Sequence, residues 1–217
     1  MTRLAALSCV ALAAFAADGP RLFYSKTFPG SKPPYMEIRL DRNGRAEYRE
    51  APDEDFPVVF TLRPAETEVV WRLAEKLDRF RRPLESGLNV ARMGDKLLRW
   101  EQGEERHEAR FNHTLDPDAQ LLHDWFERMC ESAILQAGLE RAVKYDRLGV
   151  NHAILLIEAA WDRKRLVAVD QFVPLLRRVA ANSAYLNMAR ERAEKLLVLF
   201  RAPDDTGQAR SAAEGRQ

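Results

Sequence analysis

The chain has 217 residues, with 34 Lys+Arg against 33 Asp+Glu and two cysteines. That length holds one medium domain, or a small domain with a helical appendage. A net charge this close to zero argues against a polybasic surface for nucleic acid or anionic lipid.

Met1-Thr2-Arg3 sets one positive charge ahead of an apolar run, Leu4 to Ala16, that closes on Ala14-Phe15-Ala16. A basic start, a short apolar middle and small residues at the cut are the layout of a secretory signal peptide. Residues 1–17 are therefore expected to be removed near Ala16 or Ala17, leaving a periplasmic or extracellular chain. The apolar run is shorter than the roughly 20 residues needed to span a hydrocarbon core. No stable membrane insertion is expected after cleavage, and a membrane-tethered protein with an uncleaved N-terminus is an alternative. Cys9 leaves with the leader, so an exported chain carries Cys130 alone and no disulfide framework. Cys130 shares an apolar stripe with Phe126, Met129 and Ile134 and reads as a buried small hydrophobe.

Leu22-Phe23-Tyr24 is a short strand followed by a proline-rich loop. Met36, Ile38 and Leu40 alternate on one face of a second strand, and Ala46 to Arg49 resumes the extended pattern after Asn43-Gly44. Asn-Gly between two such runs predicts a hairpin closed by a type I′ turn. Val58 to Leu62 is a further strand. Pro64 opens a helix at its first position, with Glu66 at the positive end of the dipole and Arg63 as a poor cap. Val69, Val70, Leu73, Leu77 and Phe80 repeat at helical spacing, so this helix should run until Pro83. After a long loop, Leu97–Trp100 and His107–Phe111 form a second hairpin around Gln102-Gly103.

Asp116-Pro117 caps a helix with Leu121, Leu122, Trp125, Phe126 and Met129 inward; it can continue unbroken to about Arg147, ahead of Gly149. Beyond residue 131 no strand signal remains. Asn151 is the expected cap of a run buried on nearly all sides, Ala153 to Trp161. Asp170 and Ser183 are the expected starts of two more helices, and residues 202–217 read as a disordered tail. The order β-β-β-α-β-β-α, then helices, predicts an α+β fold: an antiparallel hairpin sheet over 18–130 with helices on one face, and a C-terminal antiparallel helical bundle over 131–201.

Leu22-Phe23-Tyr24-Ser25-Lys26, the Asn43-Gly44 hairpin and Thr61-Leu62-Arg63-Pro64-Ala65-Glu66 together resemble a family of exported bacterial α+β domains. Arg82-Pro83-Leu84-Glu85-Ser86-Gly87 and Met93-Gly94-Asp95-Lys96 are similar to it as well, so the resemblance spans about 22–130. Its motifs are turns and caps; it implies a fold and no activity.

No sequence signature commits the chain to chemistry. His107, His113, His123 and His152 lack the helical pairing of a zinc protease, no serine sits in a nucleophile elbow, and no phosphate-binding loop occurs. No catalytic, metal or cofactor residues are assigned. The 83–95 loop is long enough to suggest recognition, with Glu85, Asn89, Arg92 and Asp95 as candidate contacts; Trp161 and Tyr185 are the candidates in the helical half. The leading expectation is an exported, noncatalytic protein-interaction module with a protein partner. A hydrolase-type enzyme with a site near the 83–95 loop is the alternative.

Overall fold

The computed structural model describes residues 19–201; the expected leader and tail lie outside the described residues. Strand β1 (Arg21–Thr27) is a full strand in the interior of the sheet, bonded on one side to β2 (Tyr35–Asp41) and on the other to β5 (Asp95–Gln102). With β3 (Arg45–Arg49), β4 (Val58–Thr61) and β6 (Glu105–Phe111) it builds a six-stranded sheet in the order β4-β3-β2-β1-β5-β6. Every pairing is antiparallel. Among the described residues four strands precede the first helix, because β1 and β4 both join the meander that β2 and β3 begin.

Register explains the burial. Leu22 pairs with Leu40 and Trp100, and Tyr24 with Ile38 and Leu98, so one face carries a continuous apolar band. Helices α1 (Pro64–Lys76) and α2 (Pro117–Tyr145) contribute Val70, Trp71, Leu122, Phe126 and Met129 to the core beneath it. Each such side chain taken fully out of water contributes about 1.5–3 kcal/mol. Cys130 is buried in the same core with Phe126 and Met129, as expected, whereas Ile134 of the expected stripe is exposed. The opposite face is a lattice of paired charges: Arg49 and Arg39 on Glu37, and Arg99 on Glu101 and Glu108.

The turns depart from expectation in detail. At Arg42-Asn43-Gly44 only Gly44 has a positive φ (88°), and its N–H bonds the Asp41 carbonyl at 3.0 Å. That is a three-residue loop ending in a left-handed residue, not a type I′ turn. Helix α1 stops at Lys76 instead of running to Pro83. Asp78, Arg79 and Phe80 then take positive φ values of 52°, 53° and 66°, and this left-handed turn keeps Phe80 in the core. Arg63 is better placed than its poor capping chemistry suggests. Its guanidinium reaches Asp170 at 2.9 and 3.0 Å and the Phe200 carbonyl at 2.8 Å, tying the start of α1 to the helical half.

Helix α2 is continuous over 29 residues, about 44 Å at 1.5 Å per residue. Asp116 caps it by accepting the Ala119 N–H at 3.0 Å. Its first half serves the sheet core; Leu139 and Ala142 serve a second core shared with α3 (Val150–Asp162), α4 (Val173–Ala181) and α5 (Asn187–Leu199). The starts of these helices differ from expectation. Asp170 pairs with Arg63 and does not cap α4, and Asn151 lies inside α3. Helix α5 begins only after Leu186, beyond the expected start at Ser183.

Candidate functional site

The 83–95 loop is fastened by one carboxylate and one amide. Glu85 accepts the Asn112 N–H at 2.6 Å and the Ser86 N–H at 2.9 Å. The bond from Asn112, followed by those of Ser86, holds the Glu85 carboxyl below its ordinary range. Asn112 in turn accepts the Met93 N–H at 2.9 Å and donates to the Ala91 carbonyl at 3.3 Å. Lys96 Nζ donates to the carbonyls of Asn112 (2.7 Å) and Gly94 (3.1 Å). The loop is thus folded against the end of β6.

Folding it there creates a cleft of about 380 Å³ at the ends of β1, β5 and β6, lined among others by Ser25, Thr27, Glu85, Arg92, Asp95 and Arg110. Three of the four loop residues singled out from sequence, Glu85, Arg92 and Asp95, converge on it. Asn89 is exposed and does not line it.

The two aromatic candidates of the helical half serve packing instead. Tyr185 is buried in the bundle core, and its hydroxyl donates to the Val143 carbonyl at 3.4 Å. Trp161 is half-buried, with its ring 5.2 Å from that of Phe200. Exposed apolar side chains are spread over the described residues, Phe56 and Val198 among them, and four lie at the distal end of the bundle. Tyr145 and Leu148 are each 73% exposed, and Leu186 and Met188 are 50% and 55% exposed. The Tyr185–Val143 bond brings the two pairs to the same end. Sequence reasoning missed them because Leu186 fits the inward repeat of a helix expected to start at Ser183, and the exposure of residues at helix ends depends on neighbours that only the fold supplies.

A second feature escaped the sequence: a polar cluster between the sheet and α2. Tyr24 donates to Glu127 Oε1 at 2.6 Å, and Lys26 Nζ reaches both Glu127 oxygens at 3.1 and 3.2 Å. His123 Nδ1 lies 3.2 Å from the Tyr24 hydroxyl. Since that hydroxyl donates to Glu127, the network assigns the His123 proton to Nδ1, donating to the Tyr24 oxygen. Burial pushes the His123 imidazole down to about 4, against the opposing pull of Glu127, so the ring is neutral at pH 7. Burial also works to raise Glu127, but the Tyr24 hydroxyl and the Lys26 ammonium outweigh it and hold the carboxyl low. Burial, then the nearby Lys26, lowers Lys96. The Cys130 thiol is raised well above its ordinary value by burial and then by Glu127, which keeps it protonated and unreactive. The one legible signal was the spacing of His123 and Glu127, four apart on a helix.

These groups satisfy one another: Glu127 is fully engaged, and Lys96 is held by carbonyls. Among the described residues no group of three or more His, Cys, Asp or Glu is placed to hold a metal, and no helix is long and apolar enough to cross a membrane. No protein-family model matches the chain, and no curated protein sequence matches it either.

Proposed function

We propose that the protein is an exported, noncatalytic protein-interaction module whose contact surface is the distal end of the helical bundle. The observation that carries this reading is that Tyr145, Leu148, Leu186 and Met188 are all exposed at the same end of the bundle, while Tyr185 is buried and Trp161 half-buried. Apolar side chains exposed as a group mark contact surfaces more often than isolated ones do. Export rests on the layout of residues 1–17.

Leu148→Asp and Met188→Asp test the surface, with Glu75→Gln on α1 as the control, by co-purification from the host. A partner retained by the wild type and the control but lost with both tip variants supports the reading. A partner held equally by all four, or none with any, refutes it. Mass analysis of the mature chain tests export: removal of the leader near Ala17 is the expected result, and an intact Met1 refutes it.

The alternative of a hydrolase-type enzyme draws on the cleft that gathers Glu85, Arg92 and Asp95. Glu85 is committed to backbone donors and held as an anion, which suits bracing the loop better than acid–base work. Loss of a measured hydrolytic activity on joint substitution of the three residues, with folding intact, would favour the enzyme.

A further inference from the structure

We infer that the cleft at the ends of β1, β5 and β6 binds the oxyanion group of a small solute, a carboxylate or a phosphate, between Arg92 and Arg110. This stands apart from the bundle-tip surface and does not depend on it.

The argument begins with the charges that line the cleft. Arg92 has no hydrogen bond or ion pair among the described residues. The Arg110 guanidinium has one bond among the described residues, at 3.3 Å, to Glu108. That carboxylate also accepts from Arg99 at 3.2 Å and from Arg106 at 3.1 Å, so three guanidiniums share it. The acid on the other wall, Glu85, already has its charge met by the N–H groups of Asn112 and Ser86. Both arginines line the same cleft and keep unused guanidinium donors among the described residues, and guanidinium matches carboxylate and phosphate geometry in pairs of bonds.

The volume, about 380 Å³, lies at the small end of the range of about 300–1,000 Å³ found for small-molecule sites. Ser25 and Thr27 add hydroxyls from β1. Asp95 is the one carboxylate in the cleft with neither an ion pair nor a hydrogen bond among the described residues. It repels a bare anion, and it offers an acceptor to a hydroxyl carried beside the anionic group.

Calorimetric titration of the full mature chain with inorganic phosphate and, separately, with malate tests the site, with sodium chloride at matched ionic strength as the blank. Saturable binding of either probe is expected, weakened at least about tenfold by Arg92→Gln and by Arg110→Gln, the loss of a charge-assisted bond, and unchanged by Arg147→Gln at the far end of the bundle. Asp95→Asn should tighten phosphate binding by removing a repulsive charge. Binding of phosphate alone or malate alone names the group the site prefers. No saturable binding of either probe at tens of millimolar, or binding that Arg92→Gln and Arg110→Gln leave unchanged, overturns the proposal. All four positions are on the surface or at its edge, and circular dichroism of each variant confirms that the comparison is between folded proteins.

Discussion

The Tyr24 hydroxyl donates to Glu127 across 2.6 Å, joining an interior strand to the long helix over 103 residues of sequence. Around that bond lie Lys26, Lys96 and His123, a polar cluster in an otherwise apolar layer. Low dielectric strengthens each of its bonds and makes each unmade one costly.

Tyr24→Phe removes the shared hydroxyl, leaves His123 Nδ1 without its partner and leaves Glu127 with Lys26 as its only hydrogen-bond donor among the described residues. A loss of about 1–3 kcal/mol is expected, read by urea unfolding; a change below about 0.5 kcal/mol would mean the bond is replaced by water at no cost.

His123 should make the protein acid-sensitive above the range in which carboxylates titrate. Its imidazole is lowered from 6.5 to about 4 in the folded state, so between those values the unfolded chain binds more protons. Stability is then complete above pH 6.5 and is lost as pH falls toward 4, by at most about 3 kcal/mol. His123→Gln should flatten unfolding free energy against pH across that window. An unchanged slope would show that another group carries it.

Arg63 joins the two halves, so the size of its effect separates an ion pair from a strap. Asp170 is 62% exposed on its side chain, and an exposed pair is worth about 0–1 kcal/mol. Arg63→Ala also removes the bond to the Phe200 carbonyl. It should therefore cost more than Asp170→Ala in chemical unfolding; equal costs would assign the whole effect to the ion pair.

The left-handed turn stores strain. Asp78 has φ 52° and, among the described residues, its carboxylate pairs only with the exposed Arg81. Asp78→Gly should raise thermal stability, by up to about 1 kcal/mol, since glycine takes that conformation without a Cβ penalty. A lower melting temperature would mean the carboxylate matters more than the strain.

How much the sequence revealed follows the range of the interactions. Met36, Ile38 and Leu40 alternate within one strand, and Asp116-Pro117 caps within one turn, so the hairpin and the start of α2 were legible. The end of α1 was not. Phe80 fits a helical stripe by spacing, yet it reaches the core from a left-handed turn. The cleft was half-legible, because Glu85, Arg92 and Asp95 share a loop while Ser25 and Arg110 come from strands that only the sheet brings near. The polar cluster was hidden for the same reason: Tyr24 and Lys26 are polar exceptions on a strand face, and nothing local points to Glu127 as their partner.

Photo-crosslinking from position 148 in the intact host tests the interaction surface most directly, with position 75 on α1 as the reference. One discrete protein adduct from 148 and none from 75 is the expected result. No adduct from 148, or the same products from both positions, would contradict a contact surface at the end of the bundle.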